Sequence, residues 1–140
     1  MRQILLFAAL AASLALLSGC ALSKAKADTA EDVPDKAAYH KISAEEAYEM
    51  MASQEVVVVD VRTREEYDGG HIENAVLVPN ESIGSEIPEA LPDKEATLLV
   101  YCRSGRRSKD AAQKLLALGY QSVYDFGGVI DWPYELVKEG

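Results

Sequence analysis

A single cysteine followed closely by three arginines is the part of this sequence best suited to chemistry. Cys102 ends an apolar run, and the arginines follow within five residues at Arg103, Arg106 and Arg107. Gly105 gives the turn the freedom in φ to curl backbone N–H groups around the sulfur. The helical pattern that follows would direct its positive N-terminal end to the same place. Because these features favour thiolate over thiol, the sequence predicts a reactive Cys102 with a lowered pKa. The alternative is a buried, inert cysteine at the end of a strand.

The same turn has the composition of an anion-binding loop. An anionic nucleophile within a ring of N–H donors and guanidinium groups suits a small anionic substrate. Cys102 is therefore the predicted catalytic residue. The predicted substrate-binding residues are the rest of the loop, namely Arg103, Ser104, Gly105, Arg106, Arg107 and Ser108. The sequence does not indicate which arginine faces the sulfur.

Four segments, in order along the chain, resemble the rhodanese-like sulfurtransferases. The Cys-x4-Arg-Ser pattern of residues 102–108 resembles the active-site loop of that family, and Asp-Val-Arg at residues 60–62 resembles its D-x-R signature. Residues 66–79 are similar to its E-[FY]-x-x-G-H-I-x-x-A-x-x-[IV]-P segment, and residues 127–132 to its G-G-x-x-x-W. The resemblance implies a single-domain rhodanese-like fold and transfer of sulfur through a persulfide on the cysteine.

The resemblance also implies the two halves of the reaction. Cys102 would take sulfur from thiosulfate, a thiosulfonate or a persulfide, and then pass it to cyanide or a low-molecular-weight thiol. No cofactor is implied, and two histidines with two distant cysteines do not make a metal site. Two alternatives stay open. One is a non-catalytic rhodanese-like module that binds a partner or senses sulfur. The other is a phosphatase or arsenate reductase, whose loops place five residues between Cys and Arg where this chain has four.

Three residues outside the loop are predicted to support it. Asp60 and Arg62 are expected at the carboxyl end of a strand on the active-site side, either as substrate contacts or, as we favour, as residues that brace loops through an ion pair. Glu65 or Glu66 is the expected partner of Arg62. His71 is assigned a scaffolding role, because a thiolate formed by local electrostatics needs no general base.

Alternating strand and helix patterns predict the fold class. Short apolar runs separated by helical patterns are typical of a parallel sheet covered by helices on both faces, so we expect an α/β domain with five parallel strands. The expected strands are residues 39–42, 56–61, 75–79, 96–101 and 122–126. The expected helices are residues 43–51, 63–67, 82–91, one running from about 104–108 to 118, and 129–137.

The N-terminal residues resemble a bacterial lipoprotein signal peptide. Arg2 precedes an apolar run over residues 4–17, which is shorter than the roughly 20 residues that a membrane-spanning helix needs. Leu-Ser-Gly-Cys at residues 17–20 resembles the lipobox, in which the cysteine is acylated and becomes the first residue of the mature protein. The alternative is ordinary cleavage, which would leave Cys20 as a free thiol.

These observations predict the organisation of the whole chain. We expect a signal peptide over residues 1–19, a flexible tether over residues 20–38 and the rhodanese-like domain over residues 39–140. Acylation of Cys20 would place the protein in the cell envelope, with its domain on the periplasmic or extracellular side. If Cys20 is acylated, Cys102 is the only free thiol and no intramolecular disulfide can form.

The charge balance limits the expected partners. The chain has 14 basic and 23 acidic residues, a net charge of −9. It therefore has no general affinity for nucleic acid or anionic lipid head groups, and acyl chains rather than charge would hold it at a membrane. We expect a monomer whose partners are a small anionic sulfur donor, a thiol or cyanide acceptor, and the membrane lipid around its anchor.

Overall fold

The computed structural model describes residues 37–139, which contain one sheet and three α-helices. The predictions about the signal peptide, Cys20 and most of the tether lie outside these residues. In chain order the elements are β1 (Tyr39–Lys41), α1 (Ala44–Ser53), β2 (Val57–Asp60), α2 (Arg64–Asp68), β3 (Val76–Leu77), β4 (Thr97–Cys102), α3 (Arg106–Ala117) and β5 (Ser122–Gly128). Two 3₁₀ turns, Asn80–Ser82 and Val129–Asp131, complete the set.

The sheet of the described residues has five strands in the order β1-β5-β4-β2-β3, and every neighbouring pair is parallel. The central strand β4 is an apolar run because both of its faces are covered, and its residues 98–101 have no exposed surface. Parallel strands end at the same edge of a sheet, so the carboxyl ends of β2, β4 and β5 meet there. The predicted α/β fold with a five-stranded parallel sheet is confirmed.

Helices cover both faces of this sheet and enclose two apolar cores. One core packs α3 against the sheet, and its fully buried members include Val59, Leu98, Val100, Ala111 and Leu115. The other lies under α1 and α2 and includes Ala47, Val58, Tyr67, Leu99, Tyr101 and Phe126. Burying each large apolar side chain contributes about 1.5–3 kcal/mol, so the two cores hold the sheet edge and its loops in place.

Helices α1 and α2 both begin at a capping box. The Ser43 hydroxyl accepts from the Glu46 N–H while the Glu46 carboxylate accepts from the Ser43 N–H, and Thr63 and Glu66 repeat this exchange. Each box satisfies two backbone donors that a helix start leaves free. The sequence pattern of residues 43–46 predicted the first box correctly.

Two predicted helices are wrong. Residues 82–91 contain only the end of the first 3₁₀ turn followed by irregular chain, because Gly84 and Pro88 interrupt any helical run. Residues 129–137 form a 3₁₀ turn that ends at Asp131, after which Val137 pairs with His71 in an antiparallel bridge. The strand expected at residues 75–79 is shorter, Val76–Leu77. Within residues 37–139, no helix is long and apolar enough to cross a membrane.

Candidate active site

Cys102 is the last residue of β4, and its side chain lies at the sheet edge where the strands end. The residue is only 1% exposed. The chain then turns tightly, with Gly105 in the left-handed region at φ 98° as the residue that caps α3. This turn brings the Gly105 N–H to 3.0 Å from the Cys102 Sγ. The sulfur is therefore held as the acceptor of the loop's backbone donors.

The environment of the sulfur stabilises its charged form. Burial by itself raises the pKa of Cys102, but the N–H groups of Ser108, Gly105 and Ser104 and the Ser108 hydroxyl lower it, and the net pKa lies below its ordinary value. The N–H donors stabilise the thiolate because they face the sulfur at the start of a helix, whereas the Ser108 hydroxyl lies near the sulfur but makes its hydrogen bonds to other acceptors. The largest favourable contributions thus come from N–H and O–H groups of the loop rather than from its arginine charges.

The three loop arginines have different environments. Arg103 and Arg106 are exposed to solvent. Arg107 instead makes a two-bond ion pair with Glu66, at 2.7 Å and 2.8 Å between the guanidinium nitrogens and the carboxylate oxygens. This pair lowers the pKa of Glu66 to about 2. Because Glu66 also caps α2, the ion pair ties the loop of residues 102–108 to that helix.

Asp60 and Arg62 form a buried pair that supports this edge of the sheet. The Arg62 Nη2 lies 2.6 Å from the Asp60 Oδ2 and 2.8 Å from the Gly70 carbonyl oxygen. Tyr101, the residue before Cys102, donates its hydroxyl to the same Asp60 oxygen at 2.6 Å. These are the contacts that the bracing interpretation requires. The expected partner of Arg62 was wrong, since neither Glu65 nor Glu66 but Asp60 pairs with it.

His71 contacts helix α2 and the C-terminal segment. Its Nδ1 lies 2.9 Å from the Tyr67 carbonyl oxygen, its ring stacks on the Tyr67 ring at 3.6 Å, and its backbone exchanges two hydrogen bonds with Val137. Within the described part of the chain, none of its hydrogen bonds reaches residues 102–108. This placement agrees with a scaffolding role, which stays a prediction.

Sequence reasoning missed the carboxylate behind the loop. Asp125 lies in β5 and is 1% exposed. Its Oδ1 accepts from the Ser108 hydroxyl at 2.7 Å and from the Gly127 N–H at 2.8 Å, while its Oδ2 accepts from the Tyr39 hydroxyl at 2.7 Å. An acidic residue in a strand that is otherwise buried was the available signal, because buried carboxylates need partners.

The two glycines that end β5 allow that strand to approach the loop. A Cβ on Gly128 would overlap the Arg103 carbonyl oxygen, and a Cβ on Gly105 would lie 3.5 Å from the Gly127 Cα. The Ile130 N–H then donates to the Arg103 carbonyl oxygen at 3.2 Å. The Gly-Gly pair is therefore needed for the β5 backbone to pack directly against the Cys102 loop.

The comparison with protein families agrees with this geometry, since the rhodanese-like domain family matches residues 43–133. The chain belongs to the rhodanese-like family. That match includes Asp60, Arg62 and the whole Cys102 loop.

Individual relatives show the same likeness. A tRNA uridine(34) hydroxylase of Yersinia pestis is 31% identical over 106 residues, which are 72% of this chain but only 30% of the relative's length. A solved E. coli structure described as a rhodanese with anions is 36% identical, with a TM-score of 0.54, over 59% of this chain and 98% of its own. A solved structure of a human single-domain sulfurtransferase is 26% identical, with a TM-score of 0.59, over 66% of this chain and 93% of its own.

Within residues 37–139, no group of three or more His, Cys, Asp and Glu side chains is placed to hold a metal ion.

Proposed function

We propose that this rhodanese-like chain is a single-domain sulfurtransferase that carries sulfur as a persulfide on Cys102. The observation that supports it most is the environment of the Cys102 Sγ, which receives the Gly105 N–H at 3.0 Å and has a lowered pKa. A thiolate is the form of cysteine that attacks sulfur. The loop donors that stabilise it are equally suited to the terminal sulfur of a persulfide.

The reaction follows from this placement in two steps. In the first, the Cys102 thiolate forms a bond to the outer sulfur of thiosulfate, or of a thiosulfonate or persulfide, and the sulfur–sulfur bond of the donor breaks. Sulfite leaves from thiosulfate, a sulfinate from a thiosulfonate and a thiolate from a persulfide, in each case with the electron pair of the broken bond. In the second, a thiolate or cyanide bonds to the terminal sulfur and Cys102 leaves as thiolate. Arg103 and Arg106 are exposed residues of the loop and would attract the anionic donor.

Two other functions fit the loop less well. Four residues separate Cys102 from Arg107, and Arg107 is already bound through both of its terminal nitrogens to Glu66, so a tetrahedral phosphate or arsenate is not the substrate that we propose. The hydroxylase relative is more than three times as long as the shared segment. Because this chain is acidic, with a net charge of −9, we do not extend an RNA substrate to it.

Sulfur loading without an acceptor tests the proposed function. We expect thiosulfate to leave the Cys102 peptide heavier by about 32 Da, the mass of one sulfur atom held as a persulfide. Cyanide should then remove that mass and release thiocyanate, and initial rates with both substrates should give the parallel lines of a ping-pong mechanism. If Cys102 stays unmodified with thiosulfate, thiosulfonates and low-molecular-weight persulfides alike, the chain is a binding or sensing module.

We also propose that Cys20 carries acyl chains and anchors a monomeric protein in the cell envelope, facing the periplasm or the exterior. The support is the lipobox at residues 17–20 directly after the apolar run. We expect Cys20→Ala to abolish the acyl mass and to leave an unprocessed precursor, as measured by intact-mass spectrometry of the membrane fraction. Cys102→Ala is the matched control and should keep the lipid. A wild-type mature protein without lipid would contradict the proposal.

A further inference from the structure

The Ser108 hydroxyl lies near two anionic groups, the Cys102 thiolate and the Asp125 carboxylate, and can donate only one hydrogen bond. It is fully buried, with the Gly105 carbonyl oxygen at 3.0 Å, the Gly127 carbonyl oxygen at 3.2 Å and the Asp125 Oδ1 at 2.7 Å from its oxygen. The hydroxyl is also near enough to Cys102 to contribute to the pKa of that thiol. A hydroxyl donates one hydrogen bond, so these acceptors compete for the same hydrogen.

Asp125 is the preferred acceptor of the Ser108 hydroxyl hydrogen. Its oxygen is at the shortest distance, and a hydrogen bond to a carboxylate is roughly twice as strong as one to a neutral carbonyl. Three further donors fix the carboxylate in place: the Gly127 N–H, the Tyr39 hydroxyl and the Lys41 ammonium, the last at 3.4 Å and half-exposed. Among the hydrogen bonds of residues 37–139, none runs from the Ser108 hydroxyl to the Cys102 sulfur, whereas the Gly105 N–H does donate to it.

We propose that Asp125 is a positioning residue that holds the Ser108 hydroxyl hydrogen away from Cys102 and so limits the stabilisation of the thiolate. The inference rests on the proposed function, because it concerns how reactive the sulfur-transferring cysteine is. A thiolate with a very low pKa is a poorer nucleophile, and attack is most efficient when the thiol titrates near the ambient pH. In this arrangement the loop N–H groups stabilise the Cys102 thiolate without the Ser108 hydroxyl, and the buried Asp125 carboxylate lies behind them. The thiolate is therefore not stabilised so strongly that it loses its reactivity.

The charged and titratable groups around this arrangement come from several elements. Tyr39 and Lys41 of β1 face the carboxylate, and the Tyr39 hydroxyl has a raised pKa through burial and its bond to Asp125, so it remains a donor. Arg107 of α3 has an electrostatic interaction with Cys102, and Glu66 of α2 binds Arg107. A substitution at Asp125 leaves the Arg107–Glu66 pair in place and changes only the group that Tyr39 and Lys41 contact.

Asp125→Asn removes the charge and keeps the shape. The amide oxygen can still accept from the Gly127 N–H, but as a neutral acceptor it holds the Ser108 hydroxyl hydrogen less strongly than the carboxylate does. The Tyr39 hydroxyl can accept from the new amide nitrogen. We expect the midpoint of Cys102 alkylation by iodoacetamide against pH, read by peptide mass spectrometry of the full chain, to fall by about one unit. That is about tenfold more thiolate at any pH below both midpoints. Tyr39→Phe, which removes a bond to the same carboxylate without removing its charge, is the matched control and should leave the midpoint unchanged.

Ser108→Ala gives a readout that a merely structural role would not move. In the wild-type chain the hydroxyl hydrogen is donated to Asp125, so the substitution should raise the midpoint by much less than one unit. In the Asp125→Asn chain the hydroxyl hydrogen is free to turn to the sulfur. Ser108→Ala in that chain should therefore raise the midpoint by about one unit, back to the wild-type value.

Three results would overturn the proposal. These are a midpoint in folded Asp125→Asn that is equal to or above that of the wild type, an equal effect of Ser108→Ala in both backgrounds, and a rise of a full unit with Ser108→Ala alone. The last result applies even if the Asp125 variant does not fold. Alkylation needs no sulfur transfer, so a failure of thiosulfate to load Cys102 would count against the proposed function and leave these midpoints interpretable.

Discussion

Cys102→Ser should reduce sulfur transfer from thiosulfate to cyanide by about 10³-fold or more, because removing the nucleophile of a covalent mechanism removes the intermediate itself. A serine hydroxyl does not ionise near neutral pH, so it cannot use the loop donors that stabilise the Cys102 thiolate. Its oxygen can still accept the Gly105 N–H that now lies 3.0 Å from the sulfur. The measurements are thiocyanate formation and the mass of the peptide that contains residue 102.

The fold of the Cys102→Ser chain should be intact, since the substitution exchanges one small side chain for another at the end of β4. Circular dichroism and thermal unfolding check this point. Cys20→Ser is the matched control, because it removes the other cysteine of the chain and should leave sulfur transfer at the wild-type rate. Transfer that survives in the Cys102→Ser chain would show that sulfur does not pass through this residue.

The second large effect concerns stability. Arg62→Met should lower the free energy of unfolding by about 3–5 kcal/mol, because it leaves the buried Asp60 carboxylate without its cationic partner. The Arg62 side chain is 5% exposed and that of Asp60 is 0% exposed, so water cannot replace the lost bonds. The Gly70 carbonyl oxygen also loses its donor at 2.8 Å. Urea unfolding followed by circular dichroism measures the loss.

Arg64→Met is a matched control for this effect. Arg64 pairs with Asp68 at 3.6 Å, but the two side chains are 62% and 49% exposed. Removing an exposed pair costs about 0–1 kcal/mol. If Arg62→Met destabilises the chain no more than Arg64→Met does, the Asp60–Arg62 pair does not brace this edge of the sheet.

Local patterns in the sequence were enough to predict most of the fold and the candidate nucleophile. The apolar run before Cys102 is buried on both faces of the sheet, which is why polar and apolar residues do not alternate along it. Gly105 takes the positive φ that the tight turn needs. The capping pattern at residues 43–46 does start a helix. Such features depend on residues a few positions apart, so the spacing of residues in the sequence predicts them directly. The assignments of substrate contacts and of the lipid anchor stay predictions.

The partners of the charged residues were decided only by the tertiary structure. Glu66 and Arg107 are 41 positions apart and meet because α2 and the Cys102 loop lie at the same edge of the sheet. Ser108 and Asp125 are 17 positions apart and meet because β5 lies beside β4. Sequence spacing predicted neither contact. It also assigned Arg62 to Glu65 or Glu66, although its partner Asp60 is only two positions away in the chain. Proximity in the chain determines helices, caps and turns. The order of the strands determines which distant charged residues come into contact, and that order is set by the packing of the whole sheet.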